Sequence, residues 1–212
     1  MEIVTFLFRW AHLLFGIAWI GMLFYFNFVQ AEYFKEADSG ALPDVKAKLA
    51  PRALWWFRWG AMLTFVTGVI LLVGLEHSQL MNDYIVIGVL LGTFMFLNVW
   101  LVIWPNQKIV LGLSEGDAAI AGPKAALASR TNVLFSAPMA FCMLASPHLG
   151  YSVDYLLSAN GAGLGLWLSI ALAVILQLNG LFGKPGPIAS IRGVIHMSLA
   201  LTAVFFLINL YL

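Results

Sequence analysis

Charged side chains are scarce in this sequence. Only 10% of its 212 residues are Asp, Glu, Lys or Arg, whereas 62% are hydrophobic. A soluble domain uses about a quarter charged residues to cover its water-facing surface, so this composition predicts an integral membrane protein. The net charge is only +1. A nucleic-acid partner is therefore not expected, because no basic patch is available to neutralise phosphates.

Cysteine is almost absent as well. The single Cys142 lies in an apolar segment, so the sequence offers neither a disulfide framework nor a metal-binding CxxC motif. Without a CxxCH motif the chain cannot attach a c-type haem of its own. The first apolar run is too long for a signal peptide and lacks a basic region and a small-residue cleavage site, so we expect it to be retained.

In place of charge, the sequence has long apolar runs. A helix needs roughly 20 apolar residues to cross the hydrocarbon core. Six stretches qualify: Val4–Val29, Ala53–Leu75, Tyr84–Trp104, Asn132–Ser146, Gly163–Phe182 and Ile191–Leu212. We therefore predict an all-α integral membrane fold, a bundle of about six transmembrane helices, with residues 1–212 as a single transmembrane domain.

Two features break the regular series of runs. The fourth run is short and contains Pro138, which predicts either a kink or a longer, partly polar helix. Between the runs, the composition predicts a polar loop at Gln30–Arg52 and, within the Gly/Ala/Ser-rich Pro105–Thr131 segment, a short helix at the membrane interface.

The distribution of basic residues predicts the orientation of the bundle. Only Arg9 lies on the side of the chain termini. The connections after the first, third and fifth runs, with the adjoining helix ends, hold the other ten: Lys35, Lys46, Lys48, Arg52, Arg58, Lys108, Lys124, Arg130, Lys184 and Arg192. Because basic loops stay in the cytoplasm, we expect both termini to face the periplasm.

Three of the four histidines are predicted to lie near that outer side. His12 is in the outer third of the first helix, while His77 and His148 end the second and fourth helices. His196 belongs to the opposite leaflet. An imidazole inside a membrane is costly and is usually functional. Helix-end histidines, by contrast, are more often interfacial polar residues than ligands.

These three histidines fit a haem or metal site. A neutral imidazole can ligate iron or copper, and facing helices can hold haem b through two axial side chains. We predict His12 as a ligand, with His148 or His77 opposite it. Small or flat residues on the same helices would make room for the ring or wall it: Phe15, Gly16, Trp19, Gly21, Gly68 and Gly74. The alternative is that the glycines only allow helix packing and that His12 is a packing residue.

A second polar group is predicted at the cytoplasmic side. Candidate ligands for a planar, anionic, hydrogen-bonding molecule are Gln107, Arg130, Asn132, Gln177, Arg192 and His196, with Asn98, Ser136 and Asn179 nearby. Arginine would pair with the charge. The alternative, which residue types alone favour, is that these side chains cap helices and satisfy backbone groups freed by prolines. His196 is balanced between a site and a bond between helices.

Three blocks of the sequence resemble the N-terminal membrane domain of bacterial cytochrome-c-type urate oxidases. They are FLFRWAHLLFGIAWIGMLFYFNFVQ, NVWLVIWPNQKIV and ASRTNVLFSAPMAFCMLASPHLGY. The second and third contain the W-P-N-Q and S-R-x-N-x-x-x-S-x-P patterns. His12 and His148 fall within the blocks, so the resemblance marks them as the best candidate functional residues. His77 and His196 rest on the residue arguments alone.

The resemblance implies a redox function in the bacterial inner membrane. Proteins of that family fuse the membrane domain to a C-terminal cytochrome c and convert urate towards 5-hydroxyisourate. This chain ends at Leu212, directly after a helix, so we expect a truncated relative without the cytochrome domain and one or two of the helices. Electrons from urate or a similar purine would pass to a separate periplasmic cytochrome c.

Three functions therefore stay open at this point. The first is an oxidoreductase subunit that oxidises a purine such as urate. The second is a non-catalytic accessory subunit that stabilises or tethers a respiratory complex, and the third is a transporter or channel for a small anion. A reduced haem b band in the visible spectrum would favour the first, and its absence the other two.

Overall fold

Six long helices make up most of the described structure. The computed structural model describes residues 2–78, 80–149, 157 and 161–212. The helices are α1 (Glu2–Glu36), α2 (Ala41–His77), α3 (Asp83–Val110), α4 (Ala118–Leu149), α5 (Leu164–Phe182) and α6 (Ile191–Tyr211). A short 3₁₀ turn at Gly186–Ala189 precedes α6. The prediction of an all-α fold is confirmed for the described residues.

Five of these helices are long and apolar enough to cross a membrane, and α4 is not among them. The five are compatible with a multi-pass membrane protein. Helix α4 overlaps the fourth predicted run and is the longer, partly polar helix that Pro138 allowed. It packs against α1, α3, α5 and α6. Because so much of its surface faces other helices, it needs fewer apolar residues than a lipid-facing helix.

The two predicted connections are wrong in their extent. In place of a polar loop at Gln30–Arg52, α1 continues to Glu36 and α2 begins at Ala41. Hydropathy marks where the apolar part of a helix ends, whereas Ala, Glu, Lys and Gln favour helix beyond that point. Ion pairs one turn apart, Glu32 with Lys35 and Asp44 with Lys48, support these polar extensions.

The segment Pro105–Thr131 does not form a separate interfacial helix. Helix α3 runs to Val110 and α4 begins at Ala118, which leaves only residues 111–117 outside the two helices. Pro105 does not end α3, because it stands at the start of the Trp104–Val110 helical segment, directly after a π-helical stretch at Asn98–Ile103. Its missing N–H falls where the π-helical stretch already interrupts the regular hydrogen-bond pattern of the helix.

Helices α1 and α2 form a hairpin with close backbone contact. A Cβ atom on Gly60 would lie 3.1 Å from the backbone nitrogen of Trp19. Trp19 and Leu23 of α1 are buried at this contact, as are Ala61 and Thr64 of α2. Small residues allow such an approach and strengthen packing between membrane helices.

Helices α3 to α6 form the more deeply buried bundle. A Cβ on Gly88 of α3 would lie 3.3 Å from the Met143 nitrogen of α4. Ser198 of α6 donates to the carbonyl of Leu134, at 2.9 Å. That carbonyl lacks an ordinary helical partner because Pro138, four residues on, has no N–H. A polar side chain of α6 thus bonds a backbone carbonyl that a proline leaves without its helical partner.

Candidate functional site

The side chain of His12 joins the two helices of the hairpin. Its Nδ1 lies 2.9 Å from the carbonyl oxygen of Thr64 and 3.1 Å from Thr67 Oγ1. Because a carbonyl can only accept, Nδ1 carries the hydrogen and Nε2 keeps the lone pair of the neutral ring. The ring lies against Gly68, where a Cβ would come within 3.0 Å of His12 Cε1.

This arrangement fits one axial ligand of a metal. Metal-binding histidines commonly donate their second ring N–H to a carbonyl, which fixes the tautomer and the ring orientation. The same bonds would also hold a histidine that only packs two helices together. Among the described residues, no group of three or more His, Cys, Asp or Glu side chains could hold a metal ion.

The side chains expected to wall a cofactor next to His12 are used differently. Trp19 is buried against the backbone of α2, and a Cβ on Gly16 would meet Thr64 at 4.0 Å. Both residues thus pack α1 onto α2. Gly68 leaves the space that the His12 ring occupies. Gly21 and Gly74 have no neighbour within 4 Å of an added Cβ in the described structure.

The other two outer histidines are exposed at helix ends. His77 lies ten residues beyond Thr67 on α2, so about 15 Å further along the helix axis at 1.5 Å per residue. The structure therefore does not bring His77 to His12. His148 lies with its Nδ1 2.8 Å from the Leu144 carbonyl oxygen of its own helix. Because a carbonyl only accepts, Nδ1 is the donor.

Three amide side chains form a buried network between α3, α4 and α5. Asn98 Nδ2 donates to Asn132 Oδ1 at 2.8 Å and to Gln177 Oε1 at 3.0 Å, while Gln177 Nε2 donates back to Asn98 Oδ1 at 2.7 Å. Asn132 Nδ2 donates to the Met95 carbonyl at 3.0 Å. Asn132 and Gln177, predicted as substrate ligands, are thus bonded within the bundle.

Arg130 is a predicted ligand whose guanidinium has a nitrogen still free to donate a hydrogen bond. It lies in the half of α4 that the basic residues predict to be cytoplasmic, which we call the inner half. It is half-buried, and its Nη1 is buried with no hydrogen-bond partner in the described structure. The preceding residue, Ser129, accepts a 2.7 Å bond from Asn27 of α1. Three residues after Asn27, Gln30 has a buried Oε1 that also lacks a described partner. Glu32 acts electrostatically on the Arg130 guanidinium.

Two further unpartnered donors lie in the inner half of the bundle. The Arg58 guanidinium of α2 stacks on Trp104 of α3, 3.2 Å from the ring centroid, and its Nε is buried without a described partner. Trp100 of α3 contacts Trp59 edge to face, and its Nε1 has no described partner either. We call Gln30, Arg58, Trp100 and Arg130 the inner unpaired groups.

Sequence reasoning missed three of these four groups. Arg58 entered only the count of basic residues, although its place within the apolar run WWFRWG was a signal that a charge is held inside the bundle. Gln30 and Trp100 gave no signal of their own, because polar and aromatic residues near the ends of apolar runs are ordinary at a membrane interface.

The remaining predicted ligands lie elsewhere. Gln107 is half-buried near the inner end of α3. Arg192 and His196 are exposed on α6, whose buried face carries Val194, Ser198 and Leu201. The structure therefore does not bring Arg192 and His196 together with the inner unpaired groups.

A comparison with protein families gives one match. Residues 77–176 match the family described as urate oxidase N-terminal. Neither a curated protein nor a solved structure matches the chain. The matched segment contains Trp100, Arg130 and His148, and it stops one residue before Gln177, whereas His12 lies outside it. The match supports a relation to the urate oxidase N-terminal family over α3, α4 and most of α5.

Proposed function

We propose that this chain is the membrane part of an oxidoreductase related to urate oxidase, which binds urate or a similar planar purine anion in the inner half of the bundle. The observation that carries the proposal is Arg130. Its guanidinium is half-buried with an unpartnered Nη1, and it lies within the segment that matches the urate oxidase N-terminal family.

The inner unpaired groups have the chemistry that such a ligand needs. A half-buried guanidinium with one unpartnered buried nitrogen is costly, so an anion that accepts a hydrogen bond from that nitrogen would be favoured. A guanidinium pairs with a delocalised anion through two parallel N–H donors. Gln30 Oε1 can accept a ring N–H, and Trp100 Nε1 can donate to a ring carbonyl.

Urate binding to the purified protein tests this proposal. Arg130→Gln removes the charge while keeping an amide donor, and we expect the affinity to fall about tenfold or more, the effect of losing a charged hydrogen bond. Arg192→Gln is the matched control, because Arg192 is exposed on α6. Equal affinity of wild type and Arg130→Gln, measured by calorimetric titration, would overturn the proposal.

The proposed setting is the bacterial inner membrane, with six crossings and both termini in the periplasm. The support is the bias of ten basic residues against one and the six long helices among the described residues. A periplasm-dependent reporter fused after Leu212 should be active. Activity of a cytoplasmic reporter at the same position would reverse the orientation.

In this proposal His12 would hold a haem b, and the electron acceptor would be a periplasmic cytochrome c. The support is the His12 tautomer, which leaves Nε2 free to ligate; haem iron would supply one-electron transfer when bound. His77 lies too far along α2 to bind the same group, and His148 stays the predicted second ligand. A haem b band that disappears in His12→Ala and persists in His196→Ala is the expected spectrum. A normal spectrum in His12→Ala would make His12 a packing residue.

The second candidate function is a non-catalytic accessory subunit of a respiratory complex. It is favoured by the amide network, since Asn132 and Gln177 bond with Asn98 and Met95 as residues that join helices do. Copurification with respiratory subunits, together with no urate binding and no haem band, would favour this function over the first.

A further inference from the structure

A groove of about 440 Å³ lies between α3 and α5. Its walls are mainly apolar side chains, among them Phe94, Leu97, Leu101, Val174 and Leu178, and Asn98 and Gln177 also line it. Leu101 and Leu178 are 68% and 50% exposed on the outside of the bundle. The groove therefore opens sideways, towards the acyl chains, and its volume is that of a small-molecule site.

One wall of the groove is an irregular part of α3. The helix takes a π-helical path over Asn98–Ile103, whereas α5 next to it is α-helical throughout. Such π turns are rare, and they occur often at functional sites because they displace side chains from the regular helical positions. Here the same turn carries Asn98 into the amide network and Leu101 and Val102 into the groove wall.

The hydrogen bonds of the network assign every amide orientation. The Met95 carbonyl can only accept, so the Asn132 group facing it is Nδ2 and its Oδ1 faces Asn98. Asn98 must then donate through Nδ2, which leaves its Oδ1 to accept from Gln177 Nε2. Both hydrogens of Asn98 Nδ2 are used, on Asn132 and Gln177.

One donor remains among the side chains that line the groove. A primary amide nitrogen carries two hydrogens, and among the described residues Gln177 Nε2 has a single acceptor, Asn98 Oδ1. Gln177 lies five residues before the inner end of α5, about 8 Å inside it at 1.5 Å per residue. Because Gln177 lines the groove, a molecule bound there is the candidate acceptor for this second N–H.

We propose that this groove binds the head group of a lipid-soluble quinone, with a quinone carbonyl accepting the second N–H of Gln177. No charged residue lines the groove, so its ligand is neutral. The apolar walls select a hydrophobic ring and tail, and the amide selects a carbonyl within the membrane. An acyl chain fills apolar space equally well, but it has no acceptor at this depth. The site goes beyond the proposed function, because none of the inner unpaired groups takes part.

Binding of a decyl-substituted benzoquinone to the whole protein in quinone-free phosphatidylcholine nanodiscs tests the proposal. We expect saturable binding with one quinone per chain and a lowered infrared frequency for one quinone carbonyl. Decylbenzene, which has the tail but no carbonyl, should bind about two- to tenfold more weakly, the effect of losing one neutral hydrogen bond. If decylbenzene binds as tightly as the quinone, the groove is an acyl-chain site and the proposal is wrong.

Two variants separate the groove from the rest of the surface. Val174→Trp fills the groove without changing an amide, and we expect the quinone affinity to fall about tenfold or more. Val204→Trp is the control, because Val204 is similarly exposed, 40% against 37% for Val174, on α6. Unchanged quinone affinity in Val174→Trp would overturn the proposal.

Gln177→Met tests the donor. Methionine keeps the length of the side chain and removes both N–H groups, so the carbonyl shift should disappear while far-UV circular dichroism shows the same helix content. A carbonyl shift that persists in a folded Gln177→Met protein would contradict the assigned bond. Urate binding is expected to be unaffected in Val174→Trp, so a failure of this proposal is distinguishable from a failure of the proposed function.

Discussion

The α1–α2 hairpin and the α3–α6 bundle are held together by different means. In the hairpin, two backbones approach closely at Gly60 and Trp19, and one histidine bonds across the contact. In the bundle, buried amides from three helices bond to one another. Most of α1 is exposed on the outside, whereas α4 contacts four other helices.

The difference shows which forces replace the hydrophobic effect inside a membrane. Lipid tails are as apolar as leucine, so helices associate through close packing and through polar bonds. The hairpin depends mainly on close packing. The bundle depends on close packing and also on hydrogen bonds between buried amides. We therefore expect the two regions to respond differently to the loss of a polar side chain and to the addition of a bulky one.

The largest effect is expected from Asn98→Leu in the bundle. The substitution removes all three bonds of Asn98 with Asn132 and Gln177 and leaves both partners buried without them. We expect a loss of about 2–4 kcal/mol in the free energy of unfolding, since each orphaned buried group costs about 1–3 kcal/mol. Titration with a denaturing detergent, followed by circular dichroism, measures it.

Asn179→Leu is the matched control for Asn98→Leu. Asn179 is exposed at the inner end of α5 and makes one long bond, 3.3 Å, to the Lys184 carbonyl. Its replacement should change the free energy of unfolding by less than about 0.5 kcal/mol, as for most surface changes. Equal losses in the two variants would mean that the amide network does not stabilise the bundle.

The next largest effect is expected from Gly60→Leu in the hairpin. An added side chain would meet the Trp19 backbone within 3.1 Å, and overpacking of this kind costs about 1–3 kcal/mol. Gly74→Leu, in the same helix, has no described neighbour within 4 Å of its Cβ and should be tolerated. A cysteine pair across α1 and α2 would report the separation by spin-label distance, and an unchanged distance in Gly60→Leu would refute the close contact.

A smaller effect is expected from Ser129→Ala, which removes the bond that joins α1 to α4. Asn27 Nδ2 keeps its bond to the Leu23 carbonyl and loses the one to Ser129. We expect about 1 kcal/mol and faster proteolysis of α1 relative to the bundle. Ser78→Ala, at an exposed Ser78 whose hydroxyl bonds only within the end of α2, should leave the proteolysis rate unchanged.

The smallest effect is expected from Thr67→Val. It removes the 3.1 Å contact of Thr67 Oγ1 with His12 and retains the bond of His12 to the Thr64 carbonyl. A hydrogen bond between membrane helices contributes about 0.6 kcal/mol on average, so the stability loss should be close to that. If His12 binds haem, the ring orientation shifts and the absorption band moves; a loss above that of Gly60→Leu would contradict the ranking.

The sequence predicts the fold class well because membrane helices follow directly from apolar length. All six predicted runs lie mainly within the helices of the described structure. The inner connections were wrong, since hydropathy reports contact with lipid and not the end of a helix. The extensions of α1 and α2 beyond the membrane depend on helix propensity and ion pairs at Glu32 and Asp44.

The candidate site was predicted less well, for a geometric reason. Asn132 and Gln177 have the right chemistry for a ligand, but residue type cannot show that Asn98 satisfies both. Similarly, a helix face that carries His12, Gly16 and Trp19 can be recognised from spacing, whereas its partner cannot. The structure shows that this partner is α2.

The π-helical turn at Asn98–Ile103 has a consequence for how α3 can evolve. A π turn holds one residue more than the α-helical path would. The side chains after the turn therefore do not continue the 3.6-residue repeat of the side chains before it. Before the turn, Leu91 and Met95 point into the bundle. After the turn, Trp104 faces Arg58 of α2. Deleting one residue from the turn would rotate the seven residues of Trp104–Val110 by about 100° around the axis. The extra residue acts as a rotational offset that turns Trp104 towards Arg58 of α2, while both ends of α3 stay packed on α4.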